Sequence, residues 1–186
     1  MNSVTFTCNS KHSYWAAIAL AIAVLGTIGS LYLSIGLGLK ACPLCFYQRT
    51  FMMAIVAVLG VGLWVDRSQA NLLCLLCIPL AIAGLGVAAF HQSLVLADKL
   101  ECPNGLFGLG TAPLQSSVIF AILVSMVFGG AIPRIVALVG GVCLGLALAW
   151  GCIASAPPMP PAPAAPYDQP LEICRPPFRE GNLQKE

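Results

Sequence analysis

The sequence predicts an all-α integral membrane protein, and three observations carry that prediction. Only 9% of the residues are charged and 59% are hydrophobic, whereas an average soluble domain carries about a quarter charged residues. The apolar residues fall into stretches of about 20 or more, the length a helix needs to cross a hydrocarbon core of about 30 Å. The charges gather in short breaks between those stretches. A net charge of +2, with no cluster of Lys and Arg, gives no footing for nucleic acid; the surroundings this chain is built for are membrane lipid.

The first stretch, Tyr14 to Leu39, far exceeds the roughly 7–15-residue apolar core of a cleaved signal, so it reads as an uncleaved helix. Breaks at Lys40 to Arg49, Asp66 to Asn71, Asp98 to Gln115 and Pro133-Arg134 then set spans at about 14–38, 46–65, 72–96, 114–132 and 135–153. The last two rest on length. Leu114 to Ile153 is nearly continuous apolar sequence, and a single helix of that size would run about 60 Å, twice the hydrocarbon thickness. Gly129, Gly130, Pro133 and Arg134 supply the break: flexible backbone, a missing donor and a charge that belongs at the interface. Five spans follow; the alternative is four, with 114–132 dipping only partway into the membrane. Residues 1–153 are thus read as a transmembrane helical domain and 154–186 as a Pro-rich tail. Its opening, "ASAPPMPPAPAAPYDQP", is an extended, polyproline-like spacer.

Sidedness follows from Lys and Arg in the short loops. A cytoplasmic N-terminus places Lys11, Arg67 and Arg134 inside. Lys40, the Asp98–Lys99–Glu101 loop and, with five spans, the tail then lie outside.

"ACPLCFYQR" at residues 41–49 marks the outer end of the second span. A Cys-x-x-Cys pair at a helix N-terminus has its thiol pKa lowered by the helix field, and the thiolate is the reactive form. Zinc is the rival, but it takes four ligands in structural sites, and the outer loops offer no histidine cluster to complete them. Arg49 lies four residues beyond Cys45, on the same helix face one turn deeper. An arginine inside the hydrocarbon signals function unless it snorkels to the surface. His91 sits at similar depth on the third span. A cation and an imidazole beside a thiolate suit a quinone headgroup. Cys74-Leu75-Leu76-Cys77 repeats the spacing, but at the cytoplasmic end of the third span, where thiols stay reduced; it reads as packing, as do Cys8 and Cys143.

"CPLCFYQR" resembles the signature of the disulfide-bond formation protein B (DsbB) family, quinone-coupled membrane thiol oxidases. The resemblance extends to the histidine of the third span, an outer cysteine about a dozen residues later and "TAPLQSS" entering the fourth span, covering about residues 14–132. It implies a four-helix transmembrane bundle of DsbB type, to which this chain adds a fifth helix and the extended tail. It also implies a bacterial inner-membrane enzyme that takes electrons from a periplasmic, DsbA-like thioredoxin-fold oxidase. The electrons pass through two cysteine pairs to quinone, either ubiquinone or menaquinone. On that resemblance Cys45 is the cysteine beside the quinone and Cys42 the one that exchanges with the second pair. Arg49 corresponds to the quinone-binding arginine, His91 to its neighbour, and Cys102 to the loop cysteine that forms the mixed disulfide with the partner. Gln48 stands where some relatives carry an acid, a change expected to matter little.

One departure is larger. The family has a second cysteine between the third and fourth spans, and residues 103–117 contain none. Cys174 in the tail is the expected substitute, with Cys152 at the outer end of the fifth span as the rival. Two other functions compete. A vitamin K epoxide reductase-like quinone reductase also pairs a membrane Cys-x-x-Cys with loop cysteines, but there the motif precedes the last bundle helix rather than the second. A non-enzymatic carrier of metal or reductant would use the two Cys-x-x-Cys motifs at opposite faces.

Overall fold

A computed structural model of the chain describes residues 10–178 apart from 132, 133, 159, 162 and 164. Five α-helices follow the five apolar stretches: α1 (Ser10–Leu31), α2 (Pro43–Val65), α3 (Ala70–Leu96), α4 (Ala112–Gly130) and α5 (Ile135–Ser155). Each lies in a span long and apolar enough to cross a membrane. The final turns of the first span widen into a π-helix, Tyr32–Gly36. The second span begins earlier than its hydrophobicity suggests, at Pro43 instead of residue 46, because proline at the first helical position has its φ already set and no donor to lose. The break after α4 falls at Gly130, and Arg134 leads exposed into α5. Pro133 and Cys8 lie outside the described residues.

α1 to α4 close into a ring of neighbours, α1 against α2 and α4, α3 against α2 and α4, while α5 lies outside this bundle along α3. The shared core is made by Ile55 and Leu59 from α2, Ile78 from α3, and Phe120, Leu123 and Val127 from α4. Small residues set the closest approaches, as they do between helices in lipid. A side chain at Gly84 would collide with the Phe120 ring, and a Cβ at Gly145 would stand 2.8 Å from the carbonyl oxygen of Pro79. The outward faces carry Val61, Trp64, Val136 and Trp150, all exposed, as a bundle solvated by lipid requires.

An odd number of crossings brings the tail to the same end as the α1–α2 and α3–α4 loops. There it is held in register. The Lys40 N–H donates to the Glu172 carbonyl at 2.8 Å, their side chains pair at 3.2 Å, and Glu101 and Arg175 exchange backbone hydrogen bonds of 2.8 and 2.9 Å. The Arg175 guanidinium lies 3.8 Å above the Tyr167 ring. At the other end Cys74 and Cys77 are fully buried free thiols in the core, Cys74 beside Gly130.

Candidate functional site

Cys42 is the N-cap of α2, and its Sγ accepts the Cys45 N–H at 3.3 Å. A thiol therefore occupies the place where serine or aspartate usually satisfies the first free amides. Both cysteines are thiols, with Sγ atoms 3.0 Å apart, Cys42 buried and Cys45 half-buried. The Cys45 thiol and His91 together hold the Cys42 pKa far below the ordinary thiol range, to about 4, against the opposing effect of burial. The sign is therefore that of a thiolate stable through neutral pH. Alkylation of Cys42 in the reduced protein should run at a nearly constant rate from pH 6 to 8, where an ordinary thiol speeds up about tenfold per pH unit, and should fall only as pH drops through about 4. Mass spectrometry of the Cys42 peptide after timed alkylation measures it, and a tenfold rise per unit would refute it.

His91, wholly buried on α3, joins the sulfurs. Its Nε2 lies 3.4 Å from Cys102 Sγ and 3.9 Å from Cys42 Sγ, and its Nδ1 lies 3.9 Å from Cys45 Sγ. Cys102 is bonded to Cys174 in a disulfide spanning 72 positions of sequence, with Cα atoms 4.2 Å apart. Cys152 is a free thiol, packed with Cys174 into the small apolar cluster around Cys42. The sulfurs of Cys42, Cys45 and Cys174 and one nitrogen of His91 all lie within 4.8 Å of one another. That removes the sequence-based objection to a metal: the missing ligands come from a helix and the tail, not from the outer loops.

Beside the thiols a cavity of about 620 Å³ opens between α1, α2 and α4, lined by Cys45, Gln48, Arg49, Leu25, Met52 and Ile119 among others. Arg49 is braced by α1: its Nε donates to Ser30 Oγ at 3.0 Å, and its Nη2 donates to the Ser30 carbonyl at 3.0 Å and to Ser34 Oγ at 2.6 Å. Among the described residues no carboxylate pairs with it. Its charge is thus fixed in place and left for whatever enters the cavity. His91 does not line the cavity; the thiols and Gln48 stand between.

Four side chains carry roles that the sequence did not assign them. Gln48, set aside there, is buried with its amide nitrogen 3.4 Å from His91 Nδ1. Ser30 and Ser34 form one polar stripe on an apolar helix, a signal that was available at four-residue spacing. Gln115 of "TAPLQSS" pins the cavity's outer loop, accepting from the Leu106 N–H at 2.8 Å and donating to the Leu106 and Leu109 carbonyls at 2.9 Å.

Comparison with known proteins reaches the same residues. The model of the family described as disulfide bond formation protein DsbB matches residues 11–118. A "Probable disulfide formation protein" of Chlamydia trachomatis serovar D is 31% identical over 122 residues, 59% of this chain and 88% of that protein. Its namesake in Chlamydia muridarum is 30% identical over 118 residues, 58% of this chain and 85% of that one. "Disulfide bond formation protein B" of Cupriavidus necator is 31% identical over 115 residues, covering 56% and 68%. No solved structure matches. The family match takes in the Cys-x-x-Cys pair, Arg49, His91 and Cys102 and stops within α4, short of α5 and Cys174. Through that matched majority of its length, the chain belongs to the DsbB family of disulfide bond formation proteins.

Proposed function

We propose that the protein is a thiol oxidase of the bacterial inner membrane, passing electrons from an extracytoplasmic, DsbA-like thioredoxin-fold protein through two cysteine pairs to quinone. One observation carries the reading: a disulfide and a dithiol lie in contact, and Cys174, Cys45 and Arg49 line one cavity. The partner's thiolate attacks Cys102, releasing Cys174. Cys174 then attacks Cys42 of the oxidised Cys42–Cys45 pair, and Cys45 leaves as a thiolate at the cavity wall. The partner's second thiolate resolves the mixed disulfide and expels Cys102, and the Cys102 thiolate attacks Cys174, re-forming the Cys102–Cys174 bond and releasing Cys42. Two electrons have then passed from the partner, which carries a new disulfide, to the Cys42–Cys45 pair. His91, between both pairs, gives and takes the thiol protons.

The cavity fits a quinone: it is apolar over most of its wall, and Arg49 offers a fixed cation to a carbonyl oxygen. A quinone bound there supplies the two-electron acceptor. Cys45 and Arg49 both face it, one helical turn apart. The N-terminus is cytoplasmic in this reading, which puts Arg67 and Arg134 inside and the site with its tail outside.

Arg49→Ala should raise the KM for quinone about tenfold or more while leaving that for the thiol partner within about twofold. Arg49→Lys should recover only part, since lysine cannot bridge both serines and the cavity with a planar fork. Steady-state quinone reduction in membranes, varying each substrate in turn, measures both. An effect confined to the thiol substrate would place Arg49 in another site.

A further inference from the structure

The same cluster has the makings of a cation site. Cys42 and Cys45 come from the start of α2, His91 from α3 and Cys174 from the tail, so three separate elements deliver four ligand atoms within 4.8 Å of one another. A tetrahedral zinc ion with bonds of about 2.3 Å to sulfur and 2.0–2.1 Å to nitrogen holds its ligands roughly 3.5–3.8 Å apart. The 3.9 Å between Cys42 Sγ and His91 Nε2 is already close to that spacing, and the 3.0 Å between Cys42 Sγ and Cys45 Sγ needs to widen by less than 1 Å. Cys42 and His91 are buried, as the ligands of a closed site are. Gln48 stands at His91 Nδ1. With its amide turned, an assignment made from hydrogen bonding, Gln48 accepts Nδ1–H and leaves the Nε2 lone pair for the ion, the outer-partner arrangement that orients ligating histidines. Three thiolates and a divalent cation leave one negative charge, and the unpaired Arg49 lies one turn from Cys45 to offset it.

The geometry points to a Cys42–Cys45–His91–Cys174 site for a thiophilic divalent cation such as zinc, completed when the Cys102–Cys174 disulfide is reduced. Opening that bond takes two electrons and two protons. An external dithiol supplies both and becomes a disulfide, whereas a phosphine supplies the electrons and becomes its oxide, with the protons and the oxygen coming from water. Binding then displaces up to three thiol protons. The bound ion occupies every sulfur that exchange requires except Cys102, so it locks the reduced protein out of turnover until it is removed. The site goes beyond the thiol-oxidase reading and does not depend on it; the block on turnover rests on that reading.

The test uses the full chain in detergent, reduced with a phosphine, freed of it without oxygen and titrated with Co²⁺. Thiolate-to-cobalt charge transfer and the ligand-field bands of tetrahedral cobalt should rise to an end point at one equivalent. Cys45→Ser and His91→Ala should each weaken binding about tenfold or more. The same loss is expected when the Cys102–Cys174 bond is left intact, and none in the Cys74→Ser/Cys77→Ser protein. Cys45 is half-buried at the cavity wall, so its serine variant keeps the fold even where the histidine change does not. Full-strength binding in Cys45→Ser, loss confined to the Cys74/Cys77 variant, or no end point at one equivalent would overturn the site. Thiol oxidation assayed in the same cation-free protein separates the two readings: an active enzyme that binds no cobalt discards the cation site alone.

Discussion

Serine at Cys45 should end dithiol-driven quinone reduction, lowering the rate about a thousandfold or more, the scale expected when a covalent participant is removed. The side chain is nearly isosteric and half-buried, so the loss reports chemistry and not packing. Cys42→Ser should do the same, while its hydroxyl takes over the cap on the Cys45 N–H. Serine at Cys74 or Cys77 should leave activity within about twofold, at some expense of stability, because each introduces a hydroxyl into a fully buried apolar site. Quinone absorbance followed in membranes containing each variant, normalised to protein level, decides the matter. Unimpaired turnover in Cys45→Ser would remove this pair from the reaction.

The second large effect separates the two pairs. Cys174→Ser, or a chain ending at Ala154, should lose oxidation of a reduced thioredoxin-fold protein by about a hundredfold or more. Oxidation of a small dithiol, which can reach Cys42 and Cys45 directly, should persist. Cys102→Ser should match Cys174→Ser in this split. A peptide map of non-reduced protein should contain the Cys102–Cys174 cross-link, closing a loop across α4 and α5. Undiminished oxidation of the protein substrate without the tail, or a tail protected from reagents that do not cross the membrane, would end the assignment.

The five helices were legible because charge is costly in hydrocarbon, so Lys40, Asp66, Asp98 and Arg134 mark the ends almost unaided. Depth was legible too: Arg49, His91 and Cys45 were correctly placed near one end by counting residues. Rotation about the helix axes was not. α3 is apolar nearly all round, so no stripe tells which way His91 faces; it stands among the sulfurs of Cys42, Cys45 and Cys102 and does not line the cavity that Arg49 lines. Gln48 was passed over for the same reason, since its burial depends on how α2 and α3 meet. The tail was half legible. Spacer length gives its reach, but the register that puts Arg175 opposite Glu101 depends on backbone groups that every residue carries.

That register has a kinetic consequence. Once the Cys102–Cys174 bond opens, the tail is still held on either side of Cys174 by Glu172 and Arg175. Cys174 therefore behaves as a tethered reagent, with an effective concentration at least in the millimolar range of short flexible linkers and higher for a segment already docked. Its next reaction is unimolecular and owes nothing to how much protein the membrane holds. A mixed disulfide with the partner should accordingly be short-lived in the intact chain, and loosening the tail at Lys40 or Arg175 should lengthen its lifetime without altering the thiols themselves.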